Sequence, residues 1–172
     1  RGFGFIRRVP LADEAAFVAR AKQDDAPDFA IRQLQPHAGE RYVIQYLEPQ
    51  AGNQQAIGLD IASEANRKAA ADAAMRSGQV QLTAPITLVQ AMKAPSKSFL
   101  MLMPIYRDGM ARDSEAQRVA ATLGWSYAPI LMDEVMGAIR INPELTQFTL
   151  SDVSDPRKPV VFYASRAAAG AV

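Results

Sequence analysis

The pattern of apolar residues predicts an α+β fold in which helices cover an antiparallel sheet. Two segments, 11–23 and 63–76, carry apolar or small residues on one side and charges on the other, as amphipathic helices do. Around them lie short runs that alternate apolar and polar residues and are joined by short turns, the mark of antiparallel strands. The 172 residues are 49% hydrophobic, enough to build a core.

In chain order, Pro10 suits a first helical turn, Asp13 and Glu14 sit at the positive end, and Leu11, Phe17, Val18 and Ala21 form the apolar side of the helix at 11–23. A short strand is expected at 29–34 and a longer one at 41–47, with Tyr42, Ile44 and Tyr46 on one face and Val43, Gln45 and Leu47 on the other. Ile57-Gly58-Leu59-Asp60 leads to the second helix, which Ser63 is expected to cap and Gly78 to end in a left-handed turn. Glu64, Lys68, Asp72 and Arg76 alternate in sign at i,i+4 spacing and read as a solvated stripe, opposite Ala70, Ala73 and Ala74.

Strands follow at 80–83 and 86–92, then a turn at 93–98. The run 99–103 is apolar at every position and fits a central strand covered on both faces, with Pro104 ending or bulging it. The polar stretch 107–118 marks the expected domain boundary. Beyond it come a strand-like 125–131, a helix at 132–139 and strands at 147–153 and 160–164. Met101 and Met103 read as core filling.

Charge and composition exclude several classes of function. With 19 Lys+Arg against 18 Asp+Glu the formal charge is +1, which gives no general attraction for nucleic acid or an anionic membrane. There is no cysteine, hence no thiolate chemistry, no disulfide and no Cys-based zinc site. The single histidine, His37, lies in a turn-like stretch at 35–39 and reads as exposed and chemically idle. No metal site and no cofactor are expected. The longest apolar run, 99–106, is far short of the roughly 20 residues needed to span a bilayer. The first residue is Arg1 rather than Met, so the chain is expected to be a processed protein or a piece of a longer one.

Motifs for catalysis are missing: there is no phosphate-binding glycine loop, no dinucleotide fingerprint and no nucleophile elbow. No catalytic residue is assigned. The stretch 1–8 matches the RNA-recognition octamer except at its last position, where Arg8 replaces an aromatic, and neutral charge and downstream order argue against that fold. Asp24 with Asp25, and Asp152 with Asp155, lie in turn-rich segments where aspartate bonds its own backbone. Asp60, at a strand end just before a helix, either bonds the amides near Ser63 or faces a cavity between sheet and helix.

Taken together, Arg8-Val9-Pro10, the strand at 42–49, Gly58-Leu59-Asp60-Ile61-Ala62-Ser63-Glu64, Ser77-Gly78, Leu82-Thr83-Ala84-Pro85-Ile86, 99–106 with its Pro104-Ile105-Tyr106 end, 118–124 and Ser154-Asp155-Pro156 resemble a CHASE domain. The resemblance implies an extracytoplasmic sensory module of a transmembrane histidine kinase or nucleotide cyclase, on the periplasmic or extracellular side of the membrane. It implies the end of a stalk helix and an entry helix at 1–27, a membrane-distal PAS-like subdomain at 28–106 and a partial membrane-proximal one at 107–172, each with an antiparallel sheet. It also implies flanking membrane helices outside this chain and a homodimer.

In cytokinin-binding members, the aspartate matching Asp60 bonds the nitrogen edge of the ligand and the backbone at the position of Leu82 completes the contact. The ligand expected here is a purine-like or other small polar molecule, with Tyr46, Val80, Leu82 and Met101 as apolar walls around Asp60. Two alternatives stand beside this one: a structural dimerisation module with a solid core, and a small-molecule enzyme with a second carboxylate or an arginine beside Asp60.

Overall fold

The computed structural model of the chain describes residues 2–24, 26–88, 98–139, 142 and 146–165. Its strands are β1 (Phe3–Val9), β2 (Arg32–Gln33), β3 (Arg41–Glu48), β4 (Leu59–Asp60), β5 (Gln81–Leu82), β6 (Ser98–Tyr106), β7 (Thr122–Leu131), β8 (Thr149–Asp152) and β9 (Val160–Ala164). Its helices are α1 (Glu14–Gln23), α2 (Ala65–Ser77), α3 (Glu115–Ala121) and α4 (Met132–Ala138). Seven strands form one sheet in the order β2-β4-β3-β1-β7-β6-β5, and β8 and β9 form a separate hairpin. The α+β class holds. The large sheet is mixed rather than purely antiparallel, because β2 runs parallel to β4.

Residues 3–9, placed by the sequence reading at the end of a stalk helix, are a strand instead, and β1 lies in the middle of the sheet between β3 and β7. Its side chains alternate: Ile6 enters the large core and Val9 the small one on the opposite face. The large core joins the sheet to α2 through Ala70, Ala71, Ala74 and Met75. The small core joins Val9 and Val43 to Phe17 and Ala21 of α1 and to Phe29, whose ring meets Phe17 edge-on at 5.6 Å.

Trp125 of β7 is wholly buried, packs against the Tyr42 ring at 4.4 Å and donates its indole N–H to the Ala71 carbonyl of α2 at 3.0 Å. Tyr42 in turn donates to Asp72 at 2.8 Å. The helix stripe is therefore not wholly solvated, since Asp72 serves both Tyr42 and Lys68. Burial and the Asp72 acceptor push the Tyr42 phenol up.

One bulge rewrites the expected faces of β3. Phe5 pairs with Tyr46 and Ile6 with Ile44, so Gln45 is the extra residue. Tyr42 and Ile44 stay on the core face, Leu47 takes the next inward place, and Tyr46 turns outward to 49% exposure. On β6, Ser98, Leu100, Leu102 and Pro104 are buried while Met101 and Met103 are exposed, so one face lacks the cover expected for 99–103 and the methionines are not core. Pro104 does not end the strand: it faces Trp125, and pairing continues to Tyr106.

The expected boundary near residue 107 falls between β6 and β7, which pair from Ser98 opposite Leu131 to Tyr106 opposite Thr122. One sheet runs across it. The polar stretch is an exposed connection, with Gly109 at φ 73° and a capping box in which Ser114 and Gln117 satisfy each other's amides at the start of α3.

Helix α2 is capped not by Ser63 but by Glu64, whose carboxylate accepts from the amides of Asn66 and Arg67. Gly78 ends it in the left-handed region, as expected. Gly58, at φ 82°, also requires glycine, because a Cβ there would collide with the Ala30 carbonyl oxygen. Of the expected strand at 86–92, Ile86 bridges to Ser98; positions 89–92 and the turn at 93–97 lie outside the described residues.

Candidate functional site

Asp60 closes the two-residue strand β4 and is 0% exposed. A carboxylate at such depth must be met by donors or lose several kcal/mol of hydration. It is met on both oxygens. Oδ1 accepts from the amides of Tyr42 at 2.9 Å and Ala62 at 3.0 Å. Oδ2 lies 2.7 Å from His37 Nε2 and accepts from the Gln33 amide at 3.4 Å. His37 Nδ1 accepts from the Gly39 N–H, which leaves Nε2 to carry the proton and donate to Asp60.

His37 is thus not idle: its side chain is 20% exposed and clamps the loop after β2 onto β4. The signal for it in the sequence was the buried carboxylate, which needed a donor that no nearby residue of β4 supplies. Ser63 serves the same junction, donating to the Asp60 carbonyl and accepting from the Leu34 amide.

The other expected site residues lie in two places. Leu82 and Met101 face each other across β5 and β6, with Val80 just before β5. Asp60 and Tyr46 belong to β4 and β3, and the strands β3, β1, β7 and β6 stand between β4 and β5 in the sheet. Leu82 is 55% exposed, Val80 49% and Met101 38%. Tyr46 donates its hydroxyl to Asp24, which raises the phenol pKa.

Leu82 does line a cavity of about 580 Å³ at the β5 edge of the sheet. Helix α2 contributes Asn66, Ala70 and Ala73, whose short side chains leave the space open, and Thr83 sits beside Leu82. Phe99 and Ile130 from β6 and β7 form a second wall, and Asp152, Ser154 and Phe162 from the β8–β9 hairpin a third. Phe99 meets Phe162 edge-on at 4.9 Å, which docks the hairpin against the sheet. Thr83 is occupied, its hydroxyl accepting from the Leu100 amide. Asp152 accepts from the Ser154 amide at 2.9 Å and hydroxyl at 2.6 Å, and these bonds hold its carboxyl below the usual range. Asp60, Tyr46, Val80 and Met101 are not in this lining.

A second, enclosed void of about 10 Å³ lies deep in the core, bounded by Ile61, Arg67, Leu100 and Tyr127 among others. It is no larger than about one water molecule. Arg67 is 3% exposed, donates to the Thr87 carbonyl at 2.8 Å and sits 3.4 Å from Glu64. Burial lowers its pKa, partly offset by Glu64. The Tyr127 hydroxyl is buried with no hydrogen-bond partner among the described residues, and burial raises its pKa. Sequence periodicity gives no sign of this orphan.

Among the described residues no group of three or more His, Asp or Glu could hold a metal ion, and no helix is long and apolar enough to cross a membrane. The family model for the CHASE domain matches residues 1–163. No curated protein matches the chain.

Proposed function

We propose, from the premise that the chain belongs to the CHASE-domain family, that it captures a small molecule in the cavity between α2, β5–β6 and the β8–β9 hairpin. The family is extracytoplasmic, sensory and non-catalytic. What this chain would sense, and how, goes further. The observation that carries the reading is the 580 Å³ cavity itself, roomy enough for a drug-sized ligand and mostly apolar with a few polar groups.

Its position supplies a mechanism. One wall belongs to the large sheet and α2, the other to the hairpin, and the Phe99–Phe162 contact joins them. A ligand filling the space binds best when hairpin and sheet stand at one separation, and so biases their arrangement. That bias would be relayed through flanking membrane helices to a cytoplasmic kinase or cyclase. Asp60 acts in this account by holding β2, β3 and β4 together rather than by touching the ligand.

The test is a thermal-shift screen of purines, amino acids, amines and organic acids on the chain, repeated with Ala73→Trp, which fills the cavity from the exposed side of α2. At least one compound should raise the melting temperature of the natural chain and lose that effect in Ala73→Trp. A ligand whose shift survives Ala73→Trp and disappears in a folded Asp60 variant would refute the placement.

A homodimer is a second proposal. The sheet face bearing Met101 and Met103, with Phe3 61% exposed at the start of β1 two strands away in the same sheet, leaves apolar surface for a second copy. Sedimentation of the chain and of Met101→Lys tests it: the variant should be more monomeric, and identical profiles would sink it.

A further inference from the structure

Granting that the cavity is the ligand site, its lining also restricts the ligand. Among the described residues it holds one ionised group, the carboxylate of Asp152, and neither lysine nor arginine. Asp152 ends β8 opposite Val160, so the hairpin register fixes its position. Ser154 occupies Oδ1 twice, through its amide and its hydroxyl. No donor among the described residues reaches Oδ2, which is left for a ligand. The same Ser154 bonds favour the anionic form and lower the carboxyl pKa.

The remaining polar groups do not select charge. Asn66 and Gln81 present side-chain amides, each able to donate or accept, with no side-chain hydrogen bond among the described residues. An anionic ligand would meet Asp152 with no cation among the described lining residues to balance it, whereas a cation would find Oδ2 and the aromatic pair Phe99 and Phe162, whose rings also attract positive charge. The apolar area offered by Leu82, Ile130 and the two phenylalanines requires an apolar body on the same molecule.

We infer that the cavity takes small organic cations, with an ammonium group bonded to Asp152 Oδ2 and an apolar body against Leu82, Phe99 and Phe162.

The experiment is isothermal titration of the chain with three compounds of like shape: tryptamine, its neutral analogue tryptophol and its anionic analogue indole-3-propionate. Tryptamine should bind about tenfold or more tightly than either analogue, the ratio expected for one charge-assisted bond. Asp152→Asn should erase that preference by weakening tryptamine far more than tryptophol, and Ala73→Trp should abolish binding of all three.

Tryptophol or indole-3-propionate binding as tightly as tryptamine, with Ala73→Trp still blocking both, would overturn the cation preference and leave the cavity as the ligand site. A tryptamine preference that persists in Asp152→Asn would equally overturn it. Binding of all three that survives Ala73→Trp would remove the cavity itself. If none of the three binds, the preference for apolar cations falls, while the broader screen decides the sensor reading separately.

Discussion

Two aspartates, one on β4 and one beside the β5 edge of the large sheet, show what burial does to the same side chain. Asp60 is completely enclosed and has both oxygens filled by His37, Gln33 and the amides of Tyr42 and Ala62. Asp152 lies at the edge of an open cavity with one oxygen filled and the other free of donors among the described residues. A saturated buried carboxylate fixes structure, because any new partner must displace an existing one. A half-satisfied carboxylate beside empty apolar space is suited to recognition.

The contrast is broken or sharpened by substitution. Asp60→Ala should have the largest effect, about 3 kcal/mol or more of lost stability, since it strands two buried amides and the imidazole at once. Urea denaturation measures it, and a loss below about 1 kcal/mol would contradict the structural role. His37→Ala removes one donor and should cost about 1–3 kcal/mol by the same assay; an unchanged midpoint would return His37 to the surface role its turn sequence suggested.

Tyr127→Phe acts in the other direction. It deletes a buried hydroxyl that has no partner among the described residues, so stability should stay level or rise by up to about 1 kcal/mol. A clear loss would reveal a bond that the hydroxyl makes, for instance to a water in the small void. Asp152→Asn should be the mildest for stability, within about 0.5 kcal/mol, because its side chain is only partly buried and the asparagine oxygen can still accept from Ser154.

The pH dependence separates structure from binding. Asp152 has its carboxyl lowered by Ser154, so its charge, and the tryptamine affinity it supports, should persist to lower pH than an ordinary carboxylate would allow. Titrations between about pH 7 and 5 should therefore give a flat affinity. A drop beginning above about pH 5 would point to another group.

Much of the fold was legible because local signals and tertiary packing agree. The apolar side of 11–23 buries Phe17 and Ala21, the alanine side of α2 enters the core, and Gly78 ends that helix as its conformational freedom predicts. The misreadings have a common cause. A bulge after Phe5 turned Tyr46 outward, and a bulge adds one residue without changing composition. The apolar run 99–103 was read as covered twice, but composition does not say how many layers flank a strand, and Met101 and Met103 are exposed. The central place of β1 depends on partners far along the chain, so 3–9 gave no local sign of it. At the site, Leu82 lines the cavity as one of the expected residues, while Asp152 and Ser154 sit in a turn-rich stretch, Phe162 sits in a plain strand, and the role of all three depends on where the hairpin docks.

The central claim is that ligand enters between α2 and the β8–β9 hairpin and leaves the Asp60 junction untouched. A crystal structure of the chain with the tightest-binding compound from the screen tests it most directly. The account predicts ligand density against Leu82, Phe99 and Phe162, with the His37–Asp60 contact intact. Density bonded to the Asp60 carboxylate, with His37 displaced, would contradict it.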